Sequence, residues 1–276
     1  MISIRRLVQP LLAAAVVLLV PSFVTTSVAA GQSADTRYEQ RSLTLPDGTA
    51  VGYGLSIPKA QAPAGGYPLI LGLHFSPGLG PTPEKYGLRF IDVLVRPALE
   101  PLGAVIVAPD APEGGWTTAE GEAAVLAVLD AVKQAFPIDG RRTLVTGYSM
   151  GGFGTWFFAA RHPELFRAAL PMASLPVLTA SDGRQGRAAV VEAIEKGDAS
   201  WTAQVKATPF YVIHSRNDQV VPFAPLARAV EMLKEAGGDV TFVPLDRPSH
   251  YDTGAYVEPL AAAVPWIETV WRGGPR

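Results

Sequence analysis

The stretch Gly147-Tyr148-Ser149-Met150-Gly151 constrains this chain most, because of what stands on either side of it. The β-like run Arg142-Thr143-Leu144-Val145-Thr146 precedes it, and a helix-like run from Gly152 to Arg161 follows. A strand that passes into a helix through Gly-x-Ser-x-Gly must bend sharply, and small residues flanking the serine allow that bend. Such a turn lifts the serine hydroxyl clear of the sheet at some cost in backbone strain. The following helix aims its free N–H groups and positive dipole end back at the serine, which favours negative charge there. Alone, the pentapeptide also fits a Gly-rich turn whose serine merely caps the helix. The rest of the chain decides between the two.

Around the motif, apolar strands alternate with amphipathic helices. Tyr38–Thr44 and Ala50–Ile57 read as strands joined at Pro46-Asp47-Gly48, hence an antiparallel hairpin. Further strands are expected at Tyr67–His74, Ala104–Ala108, Arg142–Thr146, Ala168–Met172, Phe210–His214 and Val240–Leu245. Helical spacing appears over Pro83–Leu99, Thr118–Phe136, Gly152–Arg161, Gly186–Glu195, Ala224–Ala236 and Tyr256–Trp271. This alternation predicts an α/β fold with a mostly parallel sheet covered on both faces. Residues 31–276 are expected to form one domain, in which 174–207 is either a small cap or a surface excursion.

The first thirty residues read differently. Arg5 and Arg6 precede an apolar run, Leu11 to Val20, and small residues end at Ser27-Val28-Ala29-Ala30. That order predicts a secretory signal peptide cleaved after Ala29 or Ala30. The apolar run is shorter than the roughly 20 residues a membrane helix needs, so no stable insertion is expected after cleavage. The protein is therefore expected to be secreted or periplasmic. The full chain carries a net charge of −2, and loss of Arg5 and Arg6 makes it more acidic. It offers no footprint for nucleic acid. Zero cysteines exclude a disulfide framework, a thiolate metal site and a cysteine nucleophile. Apolar residues make up 48% of the chain, enough for a core to carry the fold instead.

A serine hydroxyl needs a base to become a nucleophile, usually a histidine oriented by a carboxylate. In a sheet of this kind the partners follow in the order serine, acid, histidine at the ends of later strands. Asp218 lies just past strand 210–214, and His250 follows the last strand. The chain has four histidines. His74 and His214 end strands and His162 closes a helix, which leaves His250 as the base. Asp246 is the rival acid, but it stands too near His250 in sequence for a strand-end loop to orient it. Asp139 and Arg142 read as fixing the start of the elbow strand, and Trp156 and Phe157 as core. No metal-ligand cluster, dinucleotide fingerprint or P-loop appears, so no cofactor is implied.

Gly147 to Trp156, Ile138-Asp139-Gly140-Arg141-Arg142 and Asp218-x-x-Val221-Pro222 together resemble the α/β-hydrolase superfamily. They are most similar to its phospholipase/carboxylesterase and secreted esterase/depolymerase-like branch, near predicted peptidases of prolyl-oligopeptidase type. The resemblance runs from about Tyr67 to Trp271 and implies a triad of Ser149, Asp218 and His250. It also implies an oxyanion hole built from the N–H groups of Met150 and of Ser76, with Phe75 as the next candidate for the second donor. Relatives carry His-Gly where this chain has His74-Phe75, a departure from the pattern. Tyr148, Trp116 and Phe75 are the expected substrate-binding residues. The expected substrate is a small-molecule or polymer-derived carboxylic ester. A peptidase or amidase is the alternative enzyme, and a catalytically dead secreted binding protein is the alternative outside enzymes.

Overall fold

The computed structural model describes residues 35–78, 81–180 and 183–273. The expected signal peptide lies outside the described residues. Eight strands form one sheet in the order β1-β2-β4-β3-β5-β6-β7-β8. They are β1 (Thr36–Thr44), β2 (Ala50–Pro58), β3 (Tyr67–Leu73), β4 (Val105–Pro109), β5 (Ile138–Tyr148), β6 (Ala168–Met172), β7 (Phe210–Ser215) and β8 (Val240–Leu245). β1 and β2 form the expected hairpin, β2 runs antiparallel to β4, and the remaining pairs are parallel.

Successive side chains of a strand point to opposite faces, and here both faces are apolar. Leu69, Leu71, Leu73, Val105, Val107 and Val145 enter one core, whereas Ile70, Ile106, Ala108 and Leu144 enter the other. The first core is covered by α3 (Ala119–Ala135), α4 (Met150–Arg161) and α6 (Phe223–Glu235). The second lies under α1 (Tyr86–Phe90), the π-turn Ile91–Val95 and α2 (Arg96–Leu99), and under the C-terminal helices. A fully buried Leu, Ile, Val or Phe contributes about 1.5–3 kcal/mol, so two such cores suffice for a chain without cysteines.

Two helices depart from their expected form, each for a local reason. Pro83–Leu99 begins helical only at Tyr86, where the Asp110 carboxylate accepts the N–H groups of Gly87 (2.7 Å) and Lys85 (3.2 Å). Asp110 thus anchors the start of this helix. The closing helix is broken into α7 (Val257–Ala261) and α8 (Val264–Arg272). Pro265 lacks an N–H and sits in the first turn of α8, where that loss costs least. Between β6 and β7 the stretch 174–207 holds α5 (Gly183–Lys196) and a 3₁₀ turn at Ser200–Gln204. Leu175, Val177, Ile194 and Trp201 are buried in the same core as Trp156 and Phe157.

Candidate active site

β5 ends at Tyr148 and α4 starts at Met150, which leaves Ser149 alone at the bend. Its φ of 53° and ψ of −113° are rare for a residue with a side chain, a strain of about 1–3 kcal/mol. Neighbouring backbone holds it there: Ser149 donates its N–H to the Met172 carbonyl, and its own carbonyl accepts from Phe153, both at 3.0 Å. The motif's glycines serve a purpose other than the expected one. Neither has a positive φ. A Cβ on Gly151 would stand 1.7 Å from the Leu73 carbonyl oxygen, and one on Gly147 would stand 2.2 Å from that of Gly151. The strain falls on the serine, and the glycines allow backbone to meet backbone.

Asp218 and His250 sit in the loops after β7 and β8, at the same edge as the elbow. Ser149 Oγ lies 2.8 Å from His250 Nε2, and His250 Nδ1 lies 2.7 Å from Asp218 Oδ2. The other carboxylate oxygen of Asp218 accepts the N–H groups of Val220 (2.9 Å) and Val221 (2.7 Å). Burial pushes the Asp218 carboxyl up, but the hydrogen bonds from His250, Val221 and Val220 outweigh it and hold the group below its ordinary range. The two loops are also tied together. Ser215 Oγ donates to the Pro248 carbonyl, Asn217 Nδ2 to that of Arg247, and Tyr148 Oη to that of His250 at 2.7 Å. A serine, an imidazole and a buried carboxylate linked in that order form the relay of a serine hydrolase.

Residues 120–270, more than half of the chain, match the family model described as the prolyl oligopeptidase family. The chain belongs to the prolyl oligopeptidase family. A poly(3-hydroxyalkanoate) depolymerase C from Paucimonas lemoignei is 33% identical over 89 residues, which are 32% of this chain and 22% of the depolymerase. The match therefore spans about a fifth of that relative's length. A thermostable esterase of known structure superposes with a TM-score of 0.64 at 25% identity, covering 84% of this chain and 62% of the esterase. A ferulic acid esterase superposes at 0.65 with 19% identity, covering 86% of this chain and 98% of its own, a likeness of fold.

In this family member the remaining histidines are engaged elsewhere. His162 Nε2 meets Glu122 Oε1 at 2.6 Å. His214 is buried behind Asp218 and donates from Nε2 to the Val221 carbonyl at 2.9 Å, bracing the loop that orients the acid. Asp246 is exposed and faces Arg216 at 3.3 Å. Asp139 pairs with Arg142 at 2.9 Å at the start of β5, and Arg142 reaches back to the Gly66 carbonyl at 2.6 Å. Among the described residues, no group of three or more His, Asp or Glu side chains could hold a metal.

The relay opens into a cleft of about 590 Å³ whose walls include Phe75, Ser76, Tyr148, Val220 and Tyr251. Phe75 is half-buried and packs edge-on against Tyr148 at 6.2 Å, so the residue in place of the expected glycine forms a wall. Ser76 is exposed, and its hydroxyl oxygen accepts the Gly78 N–H at 3.2 Å. Met150 is the first residue of α4, where an N–H has no partner within the helix. Trp116 departs from expectation. It is fully buried and outside the cleft, with its indole N–H donating to the His74 carbonyl at 2.9 Å. A Cβ on Gly154 of α4 would stand 2.7 Å from Trp116 Cβ and 3.1 Å from Cγ, so a bare glycine there leaves the room that the Trp116 side chain fills. Arg89, Val93, Tyr251 and Thr253 also line the cleft and were not anticipated. Only Tyr251 carried a signal, its adjacency to His250.

His74 fixes the loop that bears Phe75 and Ser76. Its Nε2 accepts the Ala111 N–H at 3.0 Å, so Nδ1 carries the proton and donates to the Phe75 carbonyl at 2.7 Å. Burial drives its pKa down to about 4. The unfolded chain binds a proton below about 6.5, so the contribution of neutral His74 is complete above that pH. It is lost as pH falls towards about 4, on the order of 3 kcal/mol. Urea midpoints measured from pH 7 to 4 should fall over this window, and His74→Gln should flatten the fall. An unchanged slope in that variant would assign the acid sensitivity elsewhere.

Among the described residues, no helix is long and apolar enough to cross a membrane.

Proposed function

We propose that this chain is an exported serine hydrolase that cleaves carboxylic esters through an acyl-enzyme intermediate. The observation that carries the reading is the Ser149–His250–Asp218 relay opening directly on the cleft. His250 Nε2 takes the Ser149 proton as Oγ bonds to the ester carbonyl carbon. The imidazolium then returns that proton to the departing alkoxide as the C–O bond breaks. Water repeats the sequence on the acyl-enzyme and releases the acid. The backbone N–H groups of Met150 and Ser76 hold the developing oxyanion; one such donor is worth roughly 10²–10³ in rate. Asp218 keeps the imidazole in the tautomer that accepts at Nε2 and stabilises the imidazolium.

The cleft supports an apolar ester. Val93, Val220 and Tyr251 are 40%, 48% and 80% exposed, and all three line it. A cluster of exposed apolar side chains marks a contact surface. The similar proteins named above are esterases or a depolymerase. The family name favours a second reading, peptide hydrolysis, with the same relay. An ester's leaving alkoxide demands less of the site than an amide nitrogen, which must be protonated to leave. The intact relay argues against a binding protein without activity. The order of charged, apolar and small residues in 1–30 supports export, to the medium or a periplasm, and the single eight-stranded sheet supports 31–276 as one domain. For 174–207, the reading as a surface excursion is supported over that as a cap by the burial of Leu175, Val177, Ile194 and Trp201 in the core, and by the lack of any of its described residues among those lining the cleft.

A fluorophosphonate probe should label the folded protein at Ser149, and matched esters should exceed their amides in kcat/KM by orders of magnitude. A folded protein that resists labelling would end the enzymatic reading. Amides turned over as fast as their esters would favour the peptidase.

A further inference from the structure

Among the described residues lining the cleft, Arg89 alone carries a permanent charge. Other arginines of the chain close on carboxylates: Arg41 on Glu39, Arg96 on Asp92, Arg142 on Asp139 and Arg161 on Glu122. No carboxylate among the described residues pairs with Arg89, although the chain as a whole is acidic. An aromatic side chain positions it instead. Its guanidinium stands 5.8 Å above the Tyr86 ring. Tyr86 packs edge-on against Phe75 at 5.6 Å, and Phe75 against Tyr148 at 6.2 Å, the residue before the nucleophile. A column of rings thus links the cation to the elbow. Val93, four residues on and so on the same helical face, lines the cleft beside it.

A guanidinium held by its face keeps its edge free, and that edge presents N–H donors in the fork that matches a carboxylate. An exposed arginine with an acidic neighbour would be neutralised by it. This one is neither paired nor buried, and it faces the space where substrate must lie. We propose that the cleft selects esters carrying a second, anionic group, a carboxylate remote from the scissile bond, with Arg89 as its specificity residue. The inference rests on the ester reading above. Half-esters of dicarboxylic acids present the carboxylate on the acyl side. The carboxylate-terminated ends of hydroxyacid oligoesters present it on the alcohol side.

Two substrate pairs distinguish those sources. On the acyl side, 4-nitrophenyl hydrogen glutarate is compared with 4-nitrophenyl butyrate. On the alcohol side, 3-butyryloxybutanoate is compared with its primary amide. The wild-type protein should favour the anionic member of at least one pair by about fivefold in kcat/KM, mostly through KM, as one exposed forked ion pair allows. Salt should weaken the preference. Arg89→Gln should abolish it, Arg89→Lys should keep part of it, and Arg89→Glu should reverse it. If no ester is turned over, the ester reading fails, and Arg89 is judged by labelling. A carboxylate-tailed fluorophosphonate should then label wild-type Ser149 faster than a neutral one, and Arg89→Gln should remove the difference. The same anionic-to-neutral ratio in wild type and Arg89→Gln, for both ester pairs or for the probes, overturns the proposal.

Discussion

Replacing His250 with alanine is expected to lower kcat by roughly 10⁴–10⁶-fold on any ester the protein turns over. The size follows from the relay. His250 is the imidazole within reach of Ser149 Oγ, at 2.8 Å, and no other histidine is free to replace it. A serine hydroxyl without a base is almost entirely protonated at neutral pH and attacks poorly. KM should change little, because the ring contributes to the reaction more than to the apolar walls. The fold should survive. The tie from Tyr148 Oη goes to the backbone carbonyl of His250, and the loop's other ties go to the carbonyls of Arg247 and Pro248. His162→Ala is the control and should stay within about tenfold of wild type, since that ring serves Glu122 at the end of α4. Single-turnover kinetics with an activated ester measure both. If His250→Ala turned over every ester at the wild-type rate, the mechanism would fail.

The elbow and the relay were legible in the sequence because each depends on order along the chain. A strand, Gly-x-Ser-x-Gly and a helix can join in few ways, and Asp218 and His250 each follow an apolar strand. Four histidines left little choice. The sheet was legible for a similar reason, since the strands covered by helices read as unbroken apolar runs. What escaped were distances between segments far apart in sequence. Trp116 stands in a glycine-rich loop after a strand, where a cleft residue could stand. Only the close approach of Gly154 and the His74 carbonyl reveals why it turns inward. Arg89 falls within Pro83–Leu99, a stretch that showed only helical spacing. Arg89 lines the same cleft as Ser149, sixty residues further on, and nothing local to Arg89 encodes that meeting. The purpose of Gly147 and Gly151 was partly misread for the same cause. Gly151 is required by the carbonyl of Leu73, in a strand more than seventy residues earlier, and Gly147 by the Gly151 carbonyl that this approach brings against it.

Asp218→Asn is expected to cost roughly 10⁴ in kcat, and the geometry says why the cost should be so high for a change of one atom. Oδ1 of Asp218 accepts two backbone N–H groups, from Val220 and Val221, while Oδ2 accepts from His250 Nδ1. An asparagine must keep its single oxygen towards the two N–H groups, because its amide nitrogen would meet them donor to donor. The amide N–H then faces His250, which must accept at Nδ1 and so carries its proton at Nε2. That proton points at Ser149 Oγ, and the base can no longer take one. The wild-type carboxylate also contributes stability. With its pKa held below the ordinary range, that contribution is present above the unfolded carboxylate value of about 4 and is lost as pH falls through the folded value. Asp218→Asn should therefore flatten the acid limb of the denaturation profile while it cripples turnover. Asp246→Asn should do neither, since that side chain is 83% exposed and faces only Arg216. Measuring kcat and the urea midpoint from pH 3 to 7 for both variants separates the two acids. If Asp246→Asn were the crippled enzyme and Asp218→Asn the active one, the assignment of the acid would be wrong.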